Sequence, residues 1–465
     1  MRAEIATASD LQSDGFRLDA SYHANEGHKI YRCLYGWVSQ VPNTRRLDSI
    51  GAVCLPGGIF IGGRAKRIYV EDPNHGLPFL SSSDMLAASF DGVKLISKKQ
   101  PELESLLLQQ GWTLISRSGT IGNTAYVRKD MVGLAGSEHI MRVAPDAKKI
   151  LSGYLYAFLS SKMGVGLIRQ GTFGAVIDTI APEYIASLPI PRLEPAQEEH
   201  IHQLIEQAAE LRVEAQKTIH SARALLEQEV SFCTYSKKHD HAYTVESTEL
   251  EFNPPYRLDS FYYSGYCAEA LRALSNYSGE IVKATDVGYT FYNPPLFKRM
   301  FAQYGYPYMS GVDFYNIRPS TTRYLSPKQP DIELYIVRKG TVLMQNAGQR
   351  YGLITTPIMV MKYLEGVAVT SDVIRVNHPD LVENGYICAL FGSEFGRRLA
   401  LRYSYGTSIP RLDVQEFSKV KIPWPKDDLR RAIGEMVVGG YVKLELANDL
   451  EDQAQVLLGQ ALGFS

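Results

Sequence analysis

The fold class expected from the sequence is α+β: two mixed α/β units, each followed by a long helix, with the two helices pairing as an antiparallel coiled coil in a pseudo-twofold internal repeat. Three observations predict it. Phrases of the first half return in the second in unchanged order: Phe16-Arg17-Leu18-Asp19 as Tyr256-Arg257-Leu258-Asp259, Pro78-Phe79-Leu80-Ser81 as Pro307-Tyr308-Met309-Ser310, and Gly171-Thr172 as Gly406-Thr407. Each half closes on a Pro-x-Pro phrase, Pro189-Ile190-Pro191 and Pro423-Trp424-Pro425. Each of these phrases opens onto a long stretch of helical periodicity.

The elements follow in order. Up to about residue 192, Gly and Pro recur, and the short runs Ile59-Phe60-Ile61 and Trp112-Thr113-Leu114-Ile115 have β character. Leu151, Leu155, Phe158 and Leu159 share one face of a helix. Glu198 to Glu229 contains neither Pro nor Gly. There Ile201, Leu204, Ala208, Leu211, Ala215, Thr218, Ala222 and Leu225 step alternately by three and four, a heptad seam. Its small side chains predict a close helix–helix approach. Ser231 to Glu249 is polar, with Lys237-Lys238-His239, and predicts a linker. Glu251 to Pro425 is the second mixed unit, in which Gly385 to Leu401 repeats the helical stretch near Leu151. Past Pro425 the seam returns through Ile433, Met436, Gly440, Lys443, Ala447, Leu450, Ala454, Leu457 and Ala461, with a neighbouring register through Val437, Tyr441 and Leu444. Arg17-Leu18-Asp19 and Arg257-Leu258-Asp259 predict a structural Arg–Asp pair bracketing a buried Leu.

Composition bounds the function. At 465 residues, 45% apolar and 21% charged, the chain has room for two to four globular domains. A net charge of −1 is unlike the basic balance of a free-standing nucleic-acid binder, so such contacts would have to come from local patches. The abundant tyrosine suits interfaces, where a rigid ring carries a polar tip, and equally suits half-buried strands. Five cysteines (Cys33, Cys54, Cys233, Cys267, Cys388) are scattered, odd in number and without a Cys-x-x-Cys pair. That argues against a disulfide framework or a structural zinc site and fits a reducing cytoplasm. His200/His202 and His239/His241 are two apart, a spacing that faces different sides of a helix, so no metal site is expected. The first residues lack the apolar core of a signal peptide, and no stretch reaches the ~18–20 apolar residues of a membrane span. A soluble, cytoplasmic protein without a membrane partner is expected.

This order of unit, helix, unit, helix resembles the specificity subunit of type I restriction–modification systems and related split-target DNA-recognition subunits. Local phrases strengthen the resemblance: the strand–turn phrase Gly111 to Gly122, Gly340 to Gly348 at its place in the second half, Thr370 to Val376, Gly406 to Arg411, and Leu188 to Pro191. The second unit departs from the first in lacking the Ser-Gly-Thr-Ile-Gly wording. The resemblance implies target-recognition domains at 1–194 and 251–425, spacer helices at 195–232 and 426–465, and a linker at 233–250. It implies a non-catalytic chain that binds double-stranded DNA with a split target, one half-site per domain. Its partners would be DNA methyltransferase subunits and, in full systems, a nuclease–translocase subunit. The chain itself would carry no cofactor, S-adenosylmethionine belonging to the partner methyltransferase. A helix of ~48 Å would set two contact sites about a dozen base pairs apart at ~3.4 Å per base pair.

Candidate DNA contacts follow from side-chain chemistry. Arg64, Lys66 and Arg67 form a basic cluster in a Gly-rich stretch, and Lys298 and Arg299 hold a similar place in the second half. Such cations neutralise phosphate and release counterions, although a solvated loop would look the same. Arg117, Ser118 and Thr120 form a polar turn after a strand that could reach bases or phosphates or serve only as a turn. Gln345, Asn346, Gln349 and Arg350 occupy the equivalent slot, where amides suit adenine and Arg suits guanine. Thr172, Tyr405 and Thr407 flank glycines that would let backbone approach DNA.

One motif points elsewhere. Asn253-Pro254-Pro255-Tyr256 matches the loop by which amino-methyltransferases hold a flipped adenine, and Asn293-Pro294-Pro295-Leu296 is a weaker echo. The alternative is therefore a self-contained N6-adenine DNA methyltransferase. Against it, no Gly-rich strand-to-helix turn suited to S-adenosylmethionine follows; Leu55 to Gly58 and Ile61 to Gly63 are poor candidates. A turn before Arg257 also explains the prolines. A third reading is a structural adaptor without sequence preference.

Overall fold

The computed structural model describes residues 26–41, 44–172, 179–232, 244–247, 257, 259–311, 313–350 and 352–463. These form two compact units, Met1–Val213 with Leu446–Ser465, and Glu214–Glu445. The first copy of the Arg-Leu-Asp phrase, Asn253 to Tyr256 and most of the polar segment after Ser231 lie outside the described residues.

The first unit opens with α1 (Glu26–Gln40), β1 (Arg46–Ser49), α2 (Ile50–Val53) and β2 (Cys54–Ile61). Then come β3 (Tyr69–Val70), β4 (Gly76–Leu80), β5 (Leu95–Ser97), α3 (Leu103–Leu106), β6 (Thr113–Ser116) and β7 (Thr124–Tyr126). It continues through β8 (Ala135–Gly136), β9 (Ile140–Pro145), α4 (Ser152–Ser160), α5 (Lys162–Gln170), α6 (Pro182–Ser187), β10 (Pro189–Arg192) and α7 (Pro195–Glu229). β2-β9-β6-β7 is an antiparallel sheet. β3-β5-β4-β8 is a mixed sheet whose β4–β8 pair is parallel. β1 and β10 form a two-stranded ribbon.

The second unit repeats both four-stranded sheets and the ribbon, and among the described residues adds one two-stranded hairpin. Its elements are α8 (Gly265–Ser275), β11 (Glu280–Lys283), β12 (Thr290–Tyr292), β13 (Phe301–Ala302), β14 (Tyr306–Met309) and β15 (Tyr324–Leu325). They continue as β16 (Val342–Gln345), β17 (Pro357–Met359), β18 (Ala368–Val369), β19 (Val373–Asn377), α9 (Leu381–Gly392) and α10 (Glu394–Leu401). The unit ends with β20 (Ser404–Tyr405), β21 (Arg411–Leu412), α11 (Val414–Phe417), β22 (Lys421–Trp424) and α12 (Asp427–Leu462). Sheets β12-β19-β16-β17 and β13-β15-β14-β18 and ribbon β11–β22 reproduce those of the first unit, including the parallel pair β14–β18.

The recurrent phrases have structural causes. Pro189 and Pro191 lie in the β1–β10 ribbon and Pro425 just past β22, and each ribbon, where proline's missing N–H is tolerated, holds one equivalent proline, Pro191 or Pro423. Its carbonyl anchors the adjacent helix: the Tyr154 hydroxyl donates to Pro191 O and the Tyr386 hydroxyl to Pro423 O, both at 2.5 Å. α5 and α10 start on equivalent serines: Ser161 accepts from Gly164 N and Ser393 from Gly396 N, both at 3.0 Å. The Ser of the Pro-x-Leu/Met-Ser phrase opens a turn closed by an aspartate. Ser81 N donates to Asp84 (2.8 Å) and Ser310 N to Asp313 (2.9 Å). Arg257 pairs with Asp259 at 2.8 Å, as expected for the second Arg-Leu-Asp phrase, and also donates to Ser404 O.

A buried arginine is duplicated as well. Arg142 on β9 donates to the carbonyls of Ser137, Ile140, Leu106 and Gly136. Arg375 on β19 donates to those of Val373, Tyr335 and Val369. Burial lowers both guanidinium pKa values to about 10, and backbone carbonyls take the place of a carboxylate partner.

Within the first unit, Ile201, Leu204, Ile205 and Ala209 of α7 share a core with Ala454, Leu458 and Leu462 of α12. There Arg212 is buried against Glu451 and donates to Asn448 Oδ1 at 2.7 Å. Within the second unit, Ala222, Leu226 and Val230 share a core with Ile433 and Val437. Lys443 pairs with Glu214 at 2.8 Å, and a Cβ on Gly440 would meet Ile219 at 2.6 Å. Chain numbers rise on one helix as they fall on the other, so the helix segments inside this unit run antiparallel. The close approach at Gly440 agrees with the small residues of the seam.

The seam register needs correction. Ile201, Ala208, Ala215 and Ala222 are buried as expected, but Leu211, Thr218 and Leu225 are only half-buried. Arg212, Ile219 and Leu226 take the interior instead. On α12 Ile433, Gly440, Ala447 and Ala454 are buried as expected, whereas Met436, Leu450 and Leu457 are half-buried and Val437, Glu451 and Leu458 take the interior; of the neighbouring register Val437 is buried and Tyr441 and Leu444 are half-buried. At Arg212 and Glu451 two paired charged residues hold core positions, which a pattern built on apolar side chains passes over. No helix among the described residues is long and apolar enough to cross a membrane.

Candidate nucleic-acid interface

The basic loops are equivalent, and a buried glutamine places each. Ile68 N donates to Gln100 Oε1 (2.9 Å) while Gln100 Nε2 donates to Lys66 O (3.1 Å). Met300 N donates to Gln329 Oε1 (2.8 Å) while Gln329 Nε2 donates to Lys298 O (3.2 Å). One amide thus occupies a carbonyl and the N–H two residues on, as a neighbouring strand would. Lys66 and Lys298, and Arg67 and Arg299, are therefore structural counterparts. Arg64, Lys66, Arg67, Lys298 and Arg299 are all exposed.

The arginines are then fixed from below. Arg67 lies 5.1 Å over the ring of buried Phe79, and Arg299 lies 5.6 Å over that of buried Tyr308. Their polar partners differ. Arg67 Nη2 donates to both oxygens of Glu138 at 2.8 and 2.9 Å. Arg299 donates to the Thr370 hydroxyl, at 3.5 Å. Burial pushes the Glu138 carboxyl up, but its own backbone N–H and Arg67 outweigh this and hold it below its ordinary pKa.

A short link joins each basic strand to the strand–turn phrase. In the first unit Glu138 lies next to His139, whose Nδ1 is 2.7 Å from Ser118 Oγ. Arg117 N donates to His139 O at 3.0 Å. In the second unit Asn346 N donates to Asp372 O at 3.0 Å, and Arg411 pairs with Asp372 at 2.8 Å. Glu138, His139, Asp372 and Arg411 were not among the residues singled out from the sequence, although Asp372 and Arg411 lie in phrases that carried the resemblance. In each unit these contacts tie the strand–turn phrase to a segment distant in sequence.

The remaining sequence candidates divide. Thr120 and Gln349 are exposed, as are Tyr405 and Thr407 on the β20–β21 hairpin. Arg350 is bound to that hairpin, donating to Ser404 Oγ (3.0 Å) and Gly406 O (3.2 Å), and lies 4.1 Å over Phe261. Arg117 is half-buried and donates to Ile180 O at 3.3 Å. Thr172 is half-buried at the end of α5. Gln345 Nε2 donates to Ala347 O at 3.2 Å.

Asn346 is a correction. It is buried, and its Oδ1 accepts from Leu412 N at 3.0 Å, so it offers no face to a base edge. Its amide also meets Asn293, which, in the orientation that satisfies its neighbours, donates to Ser371 O and Val373 O. Pro295 O accepts from the Tyr335 hydroxyl at 3.1 Å. The Asn293-Pro294-Pro295 echo is thus an internal junction whose amine acceptors are already occupied. Among the described residues no group of three His, Cys, Asp or Glu is placed to hold a metal. The chemistry available on these faces is cation, amide, hydroxyl and aromatic contact.

No protein-family model matches the chain, and no curated protein does. Several solved structures are similar to it, among them three at 14% identity that each cover 90% of this chain. One is a type I restriction-modification system S subunit from M. genitalium, with 95% of that chain covered and a TM-score of 0.35. Another is from work on complex assembly and conformational transition of the type I R-M system, with 97% covered and a TM-score of 0.27. The third is the HsdS subunit from Thermoanaerobacter tengcongensis, with 96% covered and a TM-score of 0.27.

Proposed function

We propose that this chain is the DNA-recognition subunit of a type I restriction–modification assembly, reading a bipartite duplex target and recruiting methyltransferase subunits. The observation that carries the reading is the duplication itself. One strand order and one set of anchors occur twice, and each copy precedes a helix of about 35 residues. A twice-built face suits a ligand with two similar halves, and duplex DNA is such a ligand. Each domain takes one half-site, with the exposed Lys66, Arg67, Lys298 and Arg299 on phosphate and the Gln349–Arg350 and Tyr405–Thr407 region nearest the base edges. The paired helices form the antiparallel coiled coil that spaces the half-sites and docks methyltransferase subunits, with a nuclease–translocase subunit in a complete system. S-adenosylmethionine belongs to those partners, and the setting is the cytoplasm. Part of the phosphate grip comes from the partners, in keeping with the chain's net charge of −1.

The test is a map of methylated adenines in the native genome with and without this chain. A split motif that vanishes on deletion supports the proposal, and an unchanged methylome overturns it. Methylation of DNA by the chain alone, with labelled S-adenosylmethionine, would favour the self-contained methyltransferase instead. Flat affinity across a randomised duplex library would favour the adaptor.

A further inference from the structure

On both basic strands the two residues after the Lys-Arg pair are apolar and exposed. Ile68 and Tyr69 are 45% and 46% exposed, and Met300 and Phe301 are 42% and 56% exposed. Single exposed apolar side chains are ordinary on a soluble surface. These are adjacent pairs, and they occur at counterpart positions fixed independently by the glutamine anchors.

The local packing is duplicated too. Tyr69 meets Phe79 edge-on at 6.2 Å and Phe301 meets Tyr308 edge-on at 5.7 Å. The same Phe79 and Tyr308 rings carry Arg67 and Arg299 on their faces. Each site is a buried ring with an arginine over it and an exposed ring at its side. β3 and β13 are also outer strands of their sheets. An apolar outer strand invites pairing with another chain, a hazard that proteins remove with charge. Here the adjacent Lys-Arg supplies the charge, and the apolar pair persists in both copies.

We propose that Ile68-Tyr69 and Met300-Phe301 are DNA-contacting wedges, packing on deoxyribose and base edges while the preceding Lys-Arg pair holds the flanking phosphates. The inference rests on the reading of this chain as a DNA-recognition subunit and deepens it by assigning an apolar contact beside the ionic one. Charge complementarity selects duplex DNA as the occupant: a cation pair followed at once by an apolar pair matches phosphate followed by sugar along one strand. The contact adds affinity without adding charge, which gives it a separable signature.

The test uses the full chain, a fluorescein-labelled mixed-sequence duplex and anisotropy over a series of NaCl concentrations. The four-site variant Ile68→Ser, Tyr69→Ser, Met300→Ser, Phe301→Ser is expected to bind roughly tenfold or more weakly with an unchanged slope of log K against log salt. Lys66→Ala with Lys298→Ala is expected to lower that slope by about one for each phosphate left without its cation. A fluorescence melt and a stoichiometric titration exclude unfolding: a folding defect lowers the active fraction, whereas removal of the apolar wedge raises Kd at full stoichiometry. Wild-type binding matched by the serine variant overturns the wedge and leaves the DNA-recognition reading intact. A wild-type chain that binds no DNA at the lowest salt overturns both.

Discussion

Replacing Glu451 should destabilise the first unit more than any surface change, because Arg212 would lose its carboxylate in the interior. Arg212 is 3% exposed, Glu451 1% and Asn448 3%. Arg128, also buried, lies within the field of both members of the pair. Burial lowers the Arg128 pKa first; Asp130 and Glu451 raise it and Arg212 lowers it further. Removing Glu451 therefore leaves two interior cations with less compensation. Breaking one side of a buried ion pair costs about 3–5 kcal/mol. For a unit of this size, 1 kcal/mol shifts Tm by about 2–4 °C, so Glu451→Leu should lower its transition by roughly 6–20 °C. The double variant Arg212→Leu, Glu451→Leu removes both charges and should recover most of the loss, since apolar replacement of a buried pair is often neutral or stabilising. Calorimetry on the full chain, read as a double-mutant cycle, measures the coupling. A Glu451→Leu melt within about 2 °C of wild type would refute the reasoning, as would strictly additive single losses.

Other consequences can be checked alongside. A Cβ at Gly385 would sit 2.3 Å from Gly434 O, which is backbone and cannot swing aside. Gly385→Ala should therefore cost about 1–3 kcal/mol or more, read from the urea midpoint. Tyr154→Phe and Tyr386→Phe should each cost about 1–3 kcal/mol by orphaning the Pro191 or Pro423 carbonyl, and unequal losses would count against equivalent anchors. Glu138→Gln should release Arg67, strengthening binding to mixed-sequence DNA and steepening its salt dependence; an unchanged slope would remove Arg67 from the phosphate contacts. For the thiols, burial first and Asp146 second push Cys54 up to about 12, and burial pushes Cys267 and Cys388 to about 11. A raised pKa keeps the thiol protonated at pH values below it, so these three should resist a thiol reagent in mildly alkaline buffer while exposed Cys33 reacts. Peptide mass spectrometry of the labelled native chain distinguishes them.

Much of the architecture was legible because it is written in short windows. Three- and four-residue spacing shows α7 and α12, and the phrases at Pro78, Pro189, Pro307 and Pro423 mark matching turns and ribbons. Each depends only on residues near one another in the chain. The candidate interface was legible in part. The Lys66-Arg67 and Lys298-Arg299 pairs stood out by charge, whereas Asn346 looked like a base reader by residue type and is an interior hydrogen-bonding group. Residue type does not report which way a strand turns its side chains.

By itself the sequence determined that there are two copies of one unit, each closed by a Pro-x-Pro phrase and continued by a long helix, because repetition and periodicity survive without knowledge of contacts. Only the tertiary structure decided that Gln100 and Gln329 pin the basic strands, that Arg142 and Arg375 gather backbone carbonyls, and that Glu138 and His139 join Arg67 to Ser118. Only it placed Arg212 and Glu451 on the helix seam in preference to their apolar neighbours. The physical reason is common to all of these. Each depends on partners far apart in the chain, and a polar group accepts burial only where such a partner meets it, a condition that no local pattern encodes.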